Sequence, residues 1–562
     1  MKRTLNVLVL GLLLTSSISA RAAVNNDELK IGITQEFENL NPLIMTMSAT
    51  SYIYSMVGRS LVTLSPDGKW IPQLAKQIPT IENKKAVFTP DKKQIIATWE
   101  ILDNAKWSDG KPLTCADFDF SLQVAASPTV SVGEKETYTQ VSKITWDEKT
   151  PKVCTFTYGK ARWDFNQLAQ FRPLPKHLEA AVFAKHKDQK EGYEKNSLYN
   201  KAPTTPGLYN GPYKISEVKL GSHVTLIPNE HFYGSAPKIK KIIVKLIPNT
   251  ATLEANLRSG TIDMVSSLGF SFDQAVAFEK KIKSESLLFN AEFKPSITYE
   301  HIDLNLGNPM LKDVRVRKAL VYAINREELV KALFDGKQQV AIHNVSPIDP
   351  WFTNDPKKIT LYPYSKREAG RLLDEAGWKL NTSDGYRYKD GKKMTMQFMT
   401  TAGNKTRETV QTFLQGQWKS VGIEVNIKNE PARVFFADTM KKRDYGAMAM
   451  YAWVSSPENS PKSVLHSSNI PSEKNGWSGQ NNMAYSNKKV DELIEKIETE
   501  FDPKKRTALA QEILKYYTDE VPVIPLYYRS DVAVTPLALK GFRLPGHQFA
   551  ETNEIENWSV QK

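Results

Sequence analysis

Residues that bind metals or cross-link chains are scarce in this sequence. Its 562 residues include only two cysteines and eight histidines. No two histidines have the i, i+4 spacing that brings a zinc-binding pair onto one face of a helix. The two cysteines also lack a histidine at the spacing that would complete a zinc site. We therefore expect neither a metal site nor a bound cofactor.

The motifs of common enzyme classes are also missing. The sequence has no G-x-S-x-G nucleophile elbow, no GxxxxGK[ST] phosphate loop, no G-x-G-x-x-G dinucleotide fingerprint and no H-E-x-x-H pair. Acidic residues are plentiful, but no pair stands out as the two carboxylates of a hydrolase. Because acid and base groups can be assembled from distant positions, an exported hydrolase stays a secondary alternative. The sequence thus gives no positive signal for catalysis, and we do not expect an enzyme.

Long apolar runs are confined to the N-terminus. Lys2 and Arg3 precede an apolar run at residues 5–14, and residues 20–22 have the small-x-small pattern of a cleavage site. Residues 1–22 are therefore predicted to be a cleavable signal peptide. No later segment is apolar enough to span a membrane, and no cysteine beside the run offers a lipid attachment point. We expect an exported periplasmic protein without an N-terminal lipid anchor.

After export the two cysteines can pair with each other, because an oxidising compartment permits disulfides. Cys115 and Cys154 lie 39 positions apart. A disulfide needs a geometry that spacing alone does not fix. A Cys115–Cys154 bond and two buried free thiols therefore both stay open.

Charge is unbalanced toward the basic side. The formal charge is +13, and three of the positive charges (Lys2, Arg3 and Arg21) belong to the predicted signal peptide. The remaining basic residues are scattered rather than gathered into an arm or a helix stripe. This distribution favours a solvated basic surface over a nucleic-acid site.

Apolar periodicity alternates between strand and helix patterns. The stretch 299–336 is typical, with a strand-like alternation followed by two helices for which Asp313 and Asn325 are predicted N-caps. Arg315 and Arg317 on the first helix are expected to be structural or surface ion-pair formers rather than ligand anchors. The same alternation runs through both halves of a chain too long for one core. We predict an α/β protein of two or three domains.

Aromatic residues with polar groups lie where the chain enters and leaves its second half. Tyr299 and His301 are on the entering strand, Tyr527 and Tyr528 are on the leaving strand, and Trp453 ends a buried strand before a polar loop. Such side chains suit a cleft that must bury a ligand and satisfy its hydrogen bonds. Each could also be a half-buried core residue. The prediction of a ligand site rests on their shared location.

Seven segments form an ordered set along the chain: NLNPL, SLVTLSPDGKWIPQLA, KWSDGKPLTCADFDFSL, GLYNGPYK, LRSGTIDM, LKDVRVRKALVYAINREELV and PVIPLYY. They span nearly the whole mature chain. In this set and order the sequence resembles the family 5 extracellular solute-binding proteins, the dipeptide- and oligopeptide-binding components of ABC importers. Cys115 replaces the family's usual alanine, and Asn325 replaces its aspartate.

The resemblance implies a periplasmic-binding-protein clamshell of two lobes joined by two crossing strands. Lobe I would comprise residues 23–69, 205–298 and 529–562, an additional inserted domain would comprise residues 70–204, and lobe II would comprise residues 299–528. A ligand would be engulfed between the lobes as they close. The closed protein, expected to be a monomer, would dock on an ABC transporter permease in the inner membrane.

The resemblance also implies a peptide cargo held by strand-like main-chain hydrogen bonds. In family peptide binders, an acidic residue shortly after a G-W pair grips the α-amino group of the peptide. Here Ser456 occupies that acidic position, and Glu458 either substitutes for it or is a solvated loop carboxylate. Because the usual anchor is missing, a muropeptide, a metal chelate or siderophore, an oligosaccharide or an opine stays open as cargo. A chaperone-like interaction protein is a further alternative.

Overall fold

The structure, a computed structural model, describes residues 27–561 except 36, 38–39, 46, 134, 432–433 and 476–478. The predicted signal peptide at residues 1–22 lies outside the described residues. The fold is mixed α/β, as predicted. In the part of the chain that the structure describes, no helix combines the length and the hydropathy needed to cross a membrane.

The strands are numbered in chain order. They are β1 (Glu28–Ile33), β2 (Val62–Leu64), β3 (Trp70–Pro72), β4 (Ala86–Phe88), β5 (Ile95–Glu100), β6 (Val141–Thr145), β7 (Val153–Tyr158), β8 (Tyr213–Lys219), β9 (His223–Pro228), β10 (Lys241–Leu246), β11 (Met264–Val265), β12 (Phe289–Leu304), β13 (Gln339–Val340), β14 (Lys379–Asn381), β15 (Tyr386–Lys389), β16 (Lys392–Lys393), β17 (Thr395–Met399), β18 (Glu424–Ile427), β19 (Met448–Val454), β20 (Val523–Pro536), β21 (Leu539–Lys540) and β22 (Ser559–Val560).

The α-helices alternate with these strands. They span Ser48–Val57, Cys115–Ala126, Lys135–Thr139, Lys176–His186, Gly192–Asn196, Leu198–Lys201, Leu253–Arg258, Phe272–Ser284, Val314–Tyr322, Arg326–Phe334, Lys366–Glu375, Lys405–Lys419, Lys462–Leu465, Lys488–Thr499 and Pro503–Glu520.

One large mixed sheet runs through both lobes in the order β18-β17-β19-β12-β20-β11-β1-β10-β9-β8, with β13 added to β20. The two predicted crossing strands are β12 and β20, which pair antiparallel over most of their length. At one end β20 pairs with β11 of lobe I, and at the other end β12 pairs with β19 of lobe II. The lobes are therefore joined through the middle of a shared sheet.

The pairing of the crossing strands is irregular where they pass between the lobes. The register of β12 against β20 shifts between Pro295 and Tyr299, and again between Glu300 and His301. Such irregularities bend a strand and release main-chain groups from the ladder. In this interval the Ile297 N–H donates to the carbonyl of Gly546 at 2.9 Å instead of to β20.

The two helices predicted after β12 form with the predicted caps. The side chain of Asp313 accepts a hydrogen bond from the Arg315 N–H at 2.9 Å, and that of Asn325 accepts one from the Glu328 N–H at 3.1 Å. The buried guanidinium of Arg317 donates to the carbonyl oxygens of Leu311, Lys312, Glu520 and Val521. The structural role predicted for Arg317 is thereby confirmed.

Residues 70–204, the predicted inserted segment, contain an antiparallel sheet of order β4-β5-β7-β6. Its buried side chains, including Trp99 and Phe156, belong to the same hydrophobic core as Leu29 and Ile31 of lobe I. A continuous core of this kind fixes the inserted segment to lobe I, whereas lobe II has cores of its own. In the inserted segment a disulfide joins Cys115, at the start of a helix, to Cys154 on β7.

Candidate functional site: the interlobe cleft

A large cavity of about 1610 Å³ lies between the lobes. All three parts of the chain line it. Lobe I contributes Ser48, Ser51, Tyr52, Ser267, Ser296, Thr298, Asp531, His547 and Glu551, the inserted segment contributes Phe88, Lys92, Lys93, Lys160, Arg162 and Gln170, and lobe II contributes Val454 to Ser460, Lys462, Glu498 and Phe501. The cavity is larger than the 300–1,000 Å³ or so that is typical of small-molecule sites.

Ser456 and Glu458, the two positions predicted from the acidic anchor motif, both line the cleft. Glu458 has a left-handed backbone with φ of 53°, and its N–H donates to Asp349 Oδ2 at 3.0 Å. This bond fixes the turn that presents the Glu458 side chain to the cavity. Burial raises the pKa of Asp349 to about 6. The hydrogen bonds that its carboxylate accepts from two backbone N–H groups act in the opposite direction.

The carboxylate of Glu458 lies 3.7 Å from the guanidinium of Arg506. Arg506 is nearly buried, and it stacks over the ring of Trp163 at 3.9 Å. Burial lowers the pKa of Arg506, but the ordinary value is so high that the group stays charged. The charge of Glu458 is therefore partly balanced from within the protein, at a separation longer than a hydrogen bond.

Tyr299, His301 and Trp453 lie behind the cleft wall rather than on its open face. Tyr299 pairs across the sheet with Trp453, and its ring stacks on His301 with centroids 4.6 Å apart. His301 Nε2 is 3.3 Å from Asp303 Oδ1, and the Tyr451 hydroxyl donates to Asp303 Oδ2 at 2.5 Å. These residues line two small cavities that adjoin the cleft.

Tyr527 and Tyr528 are not among the residues that line the cleft. Tyr527 is buried in the core of lobe II, with its ring 4.8 Å from that of Phe334. Tyr528 is covered by the segment after β13, where its hydroxyl donates to the carbonyl of His343 at 3.0 Å. Their positions are those of core residues, as the alternative interpretation had it, and their contact with a ligand stays a prediction.

Two carboxylates on the lobe I side of the cleft escaped the sequence prediction. Burial raises the pKa of Asp531, on β20, to about 6, and burial also raises the pKa of Glu551. Glu551 accepts a hydrogen bond from the Ser267 hydroxyl at 3.0 Å, and it feels the charge of Asp531. Together they form an acidic patch that suits a cationic group of a ligand.

Three lysines form a basic patch on the inserted segment. Lys92 and Lys93 lie in the turn between β4 and β5, and Lys160 follows β7. The Ala161 N–H donates to the carbonyl of Lys93 at 2.7 Å, which holds the two stretches together at the cleft. These lysines are far from Asp531 and Glu551 in the sequence. No local sequence pattern therefore predicts that a basic and an acidic patch line the same cavity.

Metal-ligating side chains are not clustered in the described chain. Among the described residues, no group of three or more His, Cys, Asp or Glu side chains is arranged to hold a metal ion. His547, a histidine in the cleft lining, has its pKa lowered by burial, and its Nε2 bonds to the carbonyl of Ser65 at 2.8 Å. The cleft lining of the described chain offers hydrogen-bonding and charged side chains.

Known proteins share both the sequence pattern and this architecture. Residues 69–475 match the family model described as bacterial extracellular solute-binding proteins, family 5 Middle. The oligopeptide-binding protein AppA of Bacillus subtilis (strain 168) is 27% identical over 548 residues, covering 97% of this chain and 93% of AppA. The nickel-binding periplasmic protein of Escherichia coli (strain K12) is 25% identical over 547 residues, covering 95% of each chain.

A solved structure agrees with the fold. The oligopeptide-binding protein from Thermus thermophilus, complexed with a pentapeptide, has a TM-score of 0.74 and 26% identity, covering 95% of this chain and 96% of that one. The family model covers well over half of this chain, and members of the family bind solutes for transport rather than catalyse reactions. The chain therefore belongs to the bacterial extracellular solute-binding proteins of family 5.

Proposed function

We propose that this protein captures a di- or oligopeptide in the interlobe cleft and delivers it to the permease of an ABC importer in the inner membrane. The size of the cleft supports a cargo larger than a single amino acid. Relatives over nearly the full length carry the name oligopeptide-binding protein.

The main chain at the cleft wall is the observation that carries this proposal. Thr298 and Val454 form the last pair between β12 and β19, and beyond it residues 455–456 run along the cavity. Val454 is 58% exposed, and β19 ends there at the cavity. An extended peptide that adds there gains main-chain hydrogen bonds irrespective of its side chains.

Under this proposal, each charged group in the cleft has a role in binding the peptide. Glu458 meets the α-amino group of the peptide, a role supported by its place directly after the main-chain segment. Asp531 and Glu551 neutralise other cationic groups, while Lys92, Lys93 and Lys160 attract the terminal carboxylate. Tyr299 and Trp453 form an aromatic wall behind the ligand, and His301 supports it from the next layer.

Isothermal calorimetry with di- to pentapeptides, each with a free or an acetylated α-amino group, tests this proposal. We expect binding of the free forms, and about a tenfold loss on acetylation because a charge-assisted hydrogen bond disappears. Glu458→Gln should abolish the difference between the two forms, whereas Glu492→Gln, at an exposed helix position, should leave it intact. Binding of other solutes with none of any peptide would contradict the peptide assignment.

A metal chelate is the second candidate cargo. The lysine patch favours it, since a chelate wrapped by carboxylates is an anion. One relative carries the name nickel-binding periplasmic protein. Titration with Fe(III)–EDTA, with and without Lys92→Gln, Lys93→Gln and Lys160→Gln, separates this candidate from a peptide. Mass spectrometry of the ligand retained from the native host would reveal a muropeptide, an oligosaccharide or an opine.

We also propose that the mature protein is a periplasmic monomer without a lipid anchor. The N-terminal pattern of the sequence supports export and cleavage after residue 22. Mass spectrometry of the exported protein should give a start at residue 23 with no acyl chain, and light scattering should give the monomer mass. A membrane-bound, acylated form would contradict this proposal.

A further inference from the structure

Two small cavities continue from the cleft into lobe II. The first, of about 30 Å³, shares Ile297, Ser455 and Ser460 with the cleft lining. The second, of about 10 Å³, shares Tyr299, Asn344 and Trp453 with the first. We call the two together the side channel. A volume of this order accommodates a group of about the size of one to three water molecules.

Buried polar atoms without a hydrogen-bond partner on the described chain occur along the whole side channel. They are Ser460 Oγ at the mouth, Asn344 Oδ1 and Trp351 Nε1 in the first cavity, and His301 Nδ1 and Tyr517 Oη in the second. His301 and Trp351 are each only 2% exposed. Buried polar groups in folded proteins are nearly always satisfied, so a row of five beside a ligand cleft points to a partner that enters from it.

The charge of the lining restricts that partner. Asp349 lines the first cavity and Asp303 the second, and no lysine or arginine of the described chain lines either one. When His301 donates from Nε2 to Asp303, its free Nδ1 becomes an acceptor, like Asn344 Oδ1. Trp351 Nε1 is a donor only, and the hydroxyls of Ser460 and Tyr517 can donate or accept. The two carboxylates give the lining a negative charge that no lysine or arginine of the described lining balances, so a cationic group that carries donors is favoured over an anion.

The walls of the channel are apolar or aromatic. Ile297, Val345 and Val464 offer aliphatic surface, while Tyr299 and Trp453 present aromatic rings. Aliphatic walls suit a methylene stem, and aromatic faces attract a cation at its end. A primary ammonium is compact and has three donors, so it fits the small volume better than a planar guanidinium.

We propose that the side channel binds a primary ammonium group at the end of an aliphatic stem, namely a lysine-type side chain of the bound peptide. This inference rests on the proposed peptide-binding function. It concerns a side chain of the ligand and is separate from the role of Glu458 toward the α-amino group. The cavity, its five unpartnered polar atoms and its acidic lining carry it.

Calorimetry on the unaltered protein tests the proposal without mutation. The probes are tetra-alanine and its four variants with one lysine, each in a plain, an ε-acetylated and an α-acetylated form. At one position we expect lysine to bind at least about tenfold tighter than alanine, because it adds charge-assisted hydrogen bonds. The gain should vanish on ε-acetylation and survive α-acetylation. A gain that instead follows the α-amino group would overturn the proposal.

Variants at Asn344 provide a graded second test. Asn344→Leu removes the acceptor and should reduce the preference for lysine over alanine, whereas Asn344→Asp adds a charge and should increase it. Asn381→Leu, at an exposed position, is the matched control, and thermal unfolding checks that each variant is folded. Tight binding of tetra-alanine with no lysine preference at any position would overturn the side channel and leave peptide binding standing. Failure of every peptide to bind would overturn both.

Discussion

The two crossing strands carry similar aromatic residues but use them differently. On β12, Tyr299 and His301 reach the small cavities behind the cleft. On β20, Tyr527 and Tyr528 are enclosed by other elements, and it is Asp531 that reaches the cleft. Position on a crossing strand therefore does not decide whether a side chain can meet a ligand. The layer that covers each face of the strand decides it.

Strand geometry explains the difference. Consecutive residues of a strand point to opposite faces of the sheet, so Tyr527 and Tyr528 cannot both face one cleft. Tyr527 lies on the face covered by the helix Arg326–Phe334, and Tyr528 lies on the face of Tyr299, its cross-strand partner. There the segment that contains His343 covers Tyr528 and leaves Tyr299 next to the cavities.

Truncation of Tyr527 should give the largest effect and should separate stability from binding. Tyr527→Ala leaves a cavity in the core of lobe II, so we expect a loss of about 3–5 kcal/mol in the free energy of unfolding. Chemical denaturation measures this loss, and calorimetry should find peptide affinity unchanged in the folded protein. Tyr364→Ala, at a residue 41% exposed, is the control. A loss of peptide affinity without a loss of stability would place Tyr527 in the ligand site. The aromatic residues of β12 and β20 would then no longer differ in their use.

Asp531→Asn tests a residue through which β20 reaches the cleft. The folded-state pKa of Asp531 is raised from 3.8 to about 6, so the folded protein binds this proton more tightly than the unfolded chain does. Ionisation of Asp531 therefore destabilises the fold as the pH rises from about 4 to about 6, by at most about 3 kcal/mol. At pH 7 the variant should be more stable than the unaltered protein, and the difference should disappear below about pH 4.

Denaturation across this pH range measures the effect of Asp531→Asn, and the same variant should bind cationic ligands more weakly. A stability difference that stays constant from pH 4 to pH 7 would be inconsistent with ionisation of Asp531 as its source. Asp531 and Tyr527 would then differ only in how their side chains pack. Asp335→Asn, at an exposed helix end, is the control for removal of a carboxylate.

Trp453→Ala should affect binding more than stability. Trp453 is only partly buried, and it lines both cavities of the side channel. Truncation of an aromatic anchor of this kind costs about 2 kcal/mol of binding, or roughly thirtyfold in affinity. Calorimetry with the best peptide of the screen measures it. An affinity equal to that of the unaltered protein would remove Trp453 of β19 from the site, together with the cavities that it shares with Tyr299 of β12.

Local patterns predicted the parts of the fold that depend on neighbouring residues. The caps at Asp313 and Asn325 and the α/β alternation follow from short-range spacing, and the structure confirms them. Resemblance to the family led to Ser456 and Glu458, which do line the cleft. Here the prediction used an ordered set of motifs rather than any property of a serine or a glutamate.

The rest of the site depends on contacts between distant segments. Asp531, Glu551 and the lysines at 92, 93 and 160 line one cavity only because two distant parts of the chain fold around it, and nothing adjacent to them in sequence marks them. The tyrosines of β20 are different, since strand alternation by itself excludes one of the pair from any single cleft. The sequence alone could therefore have predicted that Tyr527 and Tyr528 do not both face the cleft.

The smallest expected effect concerns the hydroxyl of Tyr528. Tyr528→Phe removes only the bond to the carbonyl of His343, so the ring still packs and the loss should be about 1 kcal/mol in the free energy of unfolding. Tyr388→Phe is the matched control, because the Tyr388 hydroxyl donates to Asp384 at the surface, where the bond contributes less. Peptide affinity should be the same in both variants. If Tyr528→Phe instead weakens binding at unchanged stability, its hydroxyl serves the ligand, and the segment that covers β20 must open when the cleft is occupied.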